Sequence, residues 1–286
     1  SMGFWSPWRT GLVMDRMKPW CAIVVTLGCA AACGGARGLD GAAPVEPAGE
    51  FAREPSWTPP AAETVRRLVA EALAGLPPAD TAPLDAAWDA VRAGRGDLLD
   101  AVLATIAARE PRAAAAVAAV GRGVDPDLAW LDEPPAGTFL RDAVHLWWAR
   151  ELVRRDRFDE ALPLLTGLDV AGSVDPATLL FHRAACQHWM LDADGSIESL
   201  DRLLERESQI PARYARVARL LRADAAGLEP DSLDHIARRM RDVGRRLELG
   251  RAGRGTRQVQ EGVVESLDKL IKKIEDERQR QSGQGG

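Results

Sequence analysis

The sequence predicts an all-α protein: stacked antiparallel helical hairpins, arranged as a repeat solenoid or an irregular helical bundle, followed by a long C-terminal amphipathic helix. Three observations predict it. Alanine, leucine and arginine dominate while Phe, Trp and Tyr together make up 5% of the 286 residues. Ala, Leu and Arg head the helix-propensity order, whereas strands favour β-branched and aromatic side chains. Apolar positions recur at helical spacing from residue 61 onward, the period that buries one stripe of a helix. The breaks between these stretches are short and carry Gly, Pro or Asp, and connections of a few residues force neighbouring helices to run antiparallel. With 46% hydrophobic and 28% charged residues, the chain has apolar surface for one substantial core or a short array of units.

In chain order, residues 1–33 read as an export signal with upstream residues. Arg16 and Lys18 form a basic start, Ala22 to Leu27 an apolar centre, and Ala30-Ala31-Ala32 a small-residue end before Cys33. The apolar run is shorter than the ~20 residues a membrane span needs; an anchor helix is the alternative. Translation is expected to start at Met14 or Met17. Two cysteines resemble the acylated cysteine of the bacterial lipobox, Cys29 after LG and Cys33 after AAA. Cys33 is preferred because small residues precede it and Gly34-Gly35 follow. Lipid attachment there implies a periplasmic or membrane-anchored bacterial lipoprotein, with uncut signal or ordinary signal-peptidase cleavage as alternatives. Three of the four cysteines fall in this segment, so Cys186 stands alone in the body and no intrachain bridge is available after cleavage at Cys33. The chain is acidic, with a formal net charge of −5, and loss of Arg9, Arg16 and Lys18 against Asp15 makes it more so. Generic nucleic-acid binding is therefore not implied. Residues 34–60 are rich in Gly, Pro, Ala and Glu without an apolar period, as expected of a flexible tether. The alternative is a leader that wraps on the body through Phe51 and Trp57.

Residues 61–124 predict N-terminal helical hairpins. Val65, Leu68, Val69 and Leu76 share one face before Gly75 and Pro77-Pro78, and Leu84, Trp88 and Val91 form a second stripe ending at Gly94. Asp97 is placed to cap a third helix bearing Leu99, Val102, Leu103 and Ile106, and Pro111 halts it and opens a fourth. Asp125 to Gly137 is the first longer break and the expected point of division if the body has two subdomains.

Residues 138–250 carry a degenerate repeat. In HLWWARELVRRDRFDEALPLL, Ala149 and Ala161 are small positions on successive helices, Leu152 and Leu165 lie beyond them, and Phe158 stands at the turn. Thirty-five residues on, Ala184, Ala193, Ser196 and Leu200 take corresponding places, with Leu168 mapping to Leu203. The spacing between small residues is twelve in both units. Small residues let two helices cross closely, and the aromatic fills the wedge where they diverge. This pattern resembles the tetratricopeptide repeat over roughly residues 140–208. The 35-residue offset, Ala193 in place of the aromatic and Gln187 in place of Leu152 depart from it. The resemblance implies a solenoid of helix pairs that binds a protein or peptide in its groove. A third pair is expected in residues 211–247, in looser register.

In residues 256–280, Val259, Val263, Leu267, Leu270 and Ile274 follow steps of four and three, flanked by Val264 and Ile271. Such a helix caps the array by covering its last hairpin, or pairs with another chain in self-association; fewer than three clean heptads favour capping. Residues 281–286 read as a disordered tail. With RRLELGRAG before it, this segment resembles the C-terminal part of exported bacterial repeat proteins, a likeness that implies no particular activity.

The chemistry-bearing residues are few. His182 and Cys186 are one helical turn apart, but His188 lies roughly 200° round the helix from Cys186, which spoils a three-ligand metal face. No Gly-rich phosphate loop, G-x-S-x-G or H-E-x-x-H occurs. Asp132, Glu133, Asp156, Asp159, Glu160, Asp192 and Asp194 sit near helix starts, where capping and dipole effects account for them. No catalytic residue, metal or cofactor is assigned. Between Pro211 and Arg257 twelve arginines face six acids, and Arg238, Arg241 and Arg245 on one stripe form a candidate anion patch. Scarce aromatics there argue against single-stranded nucleic acid. The leading reading is a non-enzymatic envelope scaffold for protein or peptide partners, with His145, Trp148, Glu151, Arg183 and Gln187 as groove candidates. The alternative is an exported enzyme or carrier for a small anionic or polysaccharide ligand.

Overall fold

A computed structural model describes residues 54–77, 80, 82–133 and 137–283. The export signal, Cys33, most of the expected tether and the last three residues lie outside the described residues. Among those described there are eleven α-helices and no strand, as the composition predicts.

Four helices come first: α1 (Ala62–Ala72), α2 (Ala82–Arg92), α3 (Leu98–Arg109) and α4 (Pro111–Gly121). The punctuation works as read. The Asp97 carboxylate accepts from Asp100 N at 3.1 Å and caps α3, and Pro111 occupies the first turn of α4, where its missing N–H costs nothing. Val65, Val69, Trp88, Leu99, Val102 and Ile106 are all buried. The break at 125–137 does not divide the body. Its short 3₁₀ turn, Ala129–Asp132, buries Trp130 and Leu131, and α3 packs directly on the next helix, α5.

Next come α5 (Thr138–Arg154), α6 (Phe158–Thr166), α7 (Pro176–Trp189), α8 (Ala193–Leu204) and α9 (Ala212–Ala226). Ala149, Ala161, Ala184 and Ser196 each have 0% exposure. Ser196 Oγ donates to Ala184 O at 3.1 Å, so the two small positions of the α7–α8 pair meet at the crossing, close enough for side chain to reach backbone. Phe158 fills its wedge and stacks on Trp189 with ring centroids 5.3 Å apart. The repeat also persists in the backbone. Asp156 and Leu191, again 35 residues apart, are both left-handed, at φ 58° and 63°. Around them Arg157 N donates to Leu152 O and Asp192 N to Gln187 O, each at 2.9 Å, the same closure of a helix end. Aspartate tolerates that conformation; for leucine it is strained, and the packed hairpin holds it there. The pairs stack in sequence, α6 on α7 and α8 on α9.

Beyond α9 the array departs from expectation. α10 (Leu233–Glu248) does not fold back along α9 as a third hairpin; it packs on α11 (Arg254–Gly283) and reaches the turn between α5 and α6. Arg245 Nη1 donates to Asp156 O at 2.6 Å, and Arg245 and Arg246 both pair with Asp159. α11 therefore covers α10, the second helix of the expected last pair, and leaves Val217 and Leu220 of α9 exposed, so it covers that pair on one helix only. It also continues as helix to Gly283, past the residue 280 expected.

A second correction concerns the tether. Residues 54–60 lie on the body with no helix or strand of their own, and Trp57 is only 3% exposed. Its indole Nε1 donates to Arg202 O at 2.6 Å, while Arg206 Nε donates to Trp57 O at 3.1 Å and Arg206 Nη2 to Thr58 Oγ1 at 3.2 Å. A large indole with a satisfied N–H offsets the ordering entropy of a short Pro-rich segment.

Candidate functional site: a cleft where three helices begin

The starts of α3, α7 and α9 converge on one cleft of about 390 Å³, walled also by Pro59 and Pro60 of the leader. Each start follows from local sequence. Gly94, at φ 66°, turns the chain after α2, and Asp97 then caps α3. Asp175 caps α7, accepting from Thr178 N at 3.0 Å and from Thr178 Oγ1 at 2.6 Å, with Pro176 in the first turn. Pro211 opens α9, whose first turn has no side-chain cap. Amides of that turn, with Arg95 and Arg213, give one side of the cleft donor character, while Asp97 and Asp175 give the other acceptor character.

A polar network stands behind these walls. Thr178 spends its hydroxyl proton on Asp175, so Tyr214 O–H, 3.2 Å from Thr178 Oγ1, is the donor of that pair. The Tyr214 ring stacks on Phe181 at 4.2 Å, with Arg213 over it at 5.1 Å. Burial pushes the Asp175 carboxyl and the Tyr214 phenol above their ordinary pKa ranges, Thr178 opposing in both cases. His182 Nδ1 lies 2.8 Å from Thr178 O, which fixes the proton on Nδ1, and burial lowers its pKa to about 4. The imidazole is thus neutral and structural. Arg150, with 2% side-chain exposure, braces the acids from below: Nη1 is 3.0 Å from Asp97 Oδ1, and Nη2 pairs with Asp100. Arg213 reaches Asp97 from the solvent side at 3.5 Å.

The five groove candidates do not form an open surface. Trp148 is 9% exposed, under the guanidinium groups of Arg155 and Arg157. Arg183 donates to Leu165 O and Leu168 O and so closes the end of α6. Gln187 Oε1 accepts from Ser199 at 2.7 Å, within its own hairpin. Glu151 lies between Arg154 and Arg150. His145 is half-buried, its pKa lowered by burial. These side chains serve the stack internally, because a groove assignment from sequence has no view of which polar groups the neighbouring helix claims.

The arginine surplus resolves in the same way. Arg238 pairs with Asp224 and Asp234, and the hydrogen bond from Arg238 holds Asp224 below the usual carboxylate range. Arg245 is held by Asp159 and Asp242 and lies 5.0 Å over the Phe158 ring. Of the stripe, Arg241 is the exposed member. An anion patch of three is therefore not what the fold presents: two of its members hold α10 in place.

His182, Cys186 and His188 also part company. His188 Nε2 is 3.2 Å from Asp224, His182 is committed to Thr178, and Cys186 is fully buried, its thiol pushed by burial up to about 12. Such a thiol is no nucleophile at neutral pH. Among the described residues no three His, Cys, Asp or Glu side chains are grouped to hold a metal ion, and no helix is long and apolar enough to cross a membrane.

The convergence at the cleft was missed in the sequence, although its parts were visible: Asp-Leu-Leu at 97, Asp-Pro at 175 and Ile-Pro at 210 are each helix-start signals. No known protein family, curated protein or solved structure matches the chain.

Proposed function

We propose that the protein is a non-enzymatic helical-repeat scaffold of the bacterial envelope, tetratricopeptide-like and lipid-tethered at Cys33, that binds an extended peptide segment of a partner protein. One observation carries the reading. The array already holds a segment without helix or strand, its own residues 54–60, by an indole anchor and by an arginine bond to the backbone. Aromatic anchoring with main-chain recognition is how extended peptides are generally bound. The cleft continues that path past Pro60 and offers both donors and acceptors, as a peptide backbone requires. The buried Cys186 and neutral, committed His182 also favour a binding role over nucleophilic or acid–base chemistry.

A second reading, a carrier for a small anionic or polysaccharide ligand, is favoured by the exposed cations of Arg95 and Arg213 at the uncapped start of α9. Photo-crosslinking in cells separates the two. A photoreactive side chain replacing Arg213 is expected to capture a polypeptide, whereas the same group replacing Arg67, exposed on α1, captures none. Equal capture at both positions, or none at Arg213, contradicts the scaffold reading.

A further inference from the structure

The α10–α11 hairpin presents an apolar face that the rest of the chain leaves uncovered. Leu233, Met240 and Leu247 recur every seven residues along α10, and Val264, Ile271 and Ile274 follow on α11; all six are between 48 and 69% exposed. On α10 the side chains engaged with the body are Arg238, Arg245 and Arg246, and the three apolar residues lie roughly 180° round the helix from their mean direction. On α11 the recess beside the α7–α8 turn is lined by Gly255, Gln258 and Val259; Val264 and Ile271 again lie nearly opposite. Both stripes therefore share the outer face of the hairpin. Between the α10 residues stand Ala237 and Gly244, and a Cβ added at Gly244 meets nothing within 4 Å, so large and small alternate as in the seam of a helix bundle.

The two helices differ in length. α10 has 16 residues and α11 has 30. Their register is fixed where Ser266 Oγ donates to Asp231 Oδ1 at 2.6 Å and Arg239 Nη1 donates to Gly262 O at 2.9 Å. The start of α10 is thus level with Ser266 to Lys269, and every residue from Ile271 to Ser282 is exposed. About 20 Å of α11 overhangs the hairpin.

We infer that this face binds a second copy of the chain, with the two α11 helices antiparallel and Val264 of each against Ile271 of the other. A two-fold axis at that level makes the contact self-complementary. It lays each overhang along the other copy's Leu233, Met240 and Leu247, so the length mismatch within one chain becomes a match between two. Charge selects the same arrangement. Arg257, Glu261, Lys272 and Glu275 flank the stripe on one side, are exposed, and make no ion pair within the chain among the described residues. With Val264 opposite Ile271, Arg257 falls within a helical turn of Glu275 of the second copy and Lys272 within a turn of its Glu261. A parallel two-fold pairing would instead put these flanks on opposite edges of the contact, where they form no pairs. The contact is about 40 Å long, and two helices wide beside α10, comparable to the ~800 Å² per partner of standard stable interfaces.

Sedimentation of the full chain across a concentration series tests this. Wild type is expected to be a dimer at micromolar concentration. Arg257→Glu and Glu275→Arg should each raise the dimer dissociation constant about tenfold, since each substitution turns two attractions into repulsions, and the double variant should restore it. Both side chains are exposed, so helix content, read by circular dichroism, stays unchanged. A wild type that remains monomeric at ~100 μM, orders of magnitude above the affinity of typical specific complexes, overturns the proposal. So does a dimer insensitive to both single changes, or one that the double variant fails to restore.

Discussion

Replacing Arg150 with alanine is expected to destabilise the protein by about 3 kcal/mol. The guanidinium is the most deeply buried charge in the array and bridges two carboxylates from α3, Asp97 and Asp100, to α5. Removing one partner of a buried ion pair leaves the other desolvated without compensation, a loss of about 3–5 kcal/mol where both are buried. Asp100 is 56% exposed and recovers water, whereas Asp97, 22% exposed, does not fully, which sets the estimate of about 3 kcal/mol at the lower end of that range. For a body of this size the melting temperature should fall by about 6–12 °C. Lysine recovers only part, because one ammonium cannot span two carboxylates as a planar guanidinium does. Thermal unfolding of wild type, Arg150→Ala and Arg150→Lys provides the check. A melting temperature unchanged by alanine would mean that the joint between α3 and α5 is held by apolar contact alone.

The second large effect belongs to Trp57. Its substitution by alanine should cost about 3 kcal/mol, because a nearly buried indole loses its packing and its bond to Arg202 O. Without the indole anchor the segment 54–60 should detach, taking with it the backbone carbonyl that accepts from Arg206, and become susceptible to protease. Denaturant unfolding and limited proteolysis read the two consequences together. Coincident unfolding curves for wild type and Trp57→Ala would mark the segment as a passenger on the array.

What the sequence disclosed and what it withheld divide by range. The small positions 149, 161, 184 and 196 were legible because helix crossing imposes a local size pattern, and the caps at Asp97 and Pro111 because they act within a turn. The burial of Trp57 was legible only as the alternative to a flexible tether, since a lone tryptophan among prolines has no periodicity and its partner lies about 145 residues away. The arginines of α10 resembled a free patch for the same reason: Asp159 stands 86 residues from Arg245, and no local signal joins them. The cleft illustrates both halves. Asp97 and Asp175 are readable as caps one at a time, but their meeting depends on how α3, α5, α7 and α9 stack. A groove was hard to read because polar side chains on repeat helices are as often hairpin bonds, as Gln187 with Ser199, as surface for a partner.

Small side chains permit the close helix crossings on which this fold depends, and a pair of substitutions tests that most directly. In urea unfolding, Ala184→Leu should lose about 2–3 kcal/mol, because the added atoms have no space at a fully buried crossing. Ala115→Leu on the exposed face of α4 should change stability by less than about 0.5 kcal/mol. Equal stability of the two variants would contradict the hairpin stack as the organising principle of this fold.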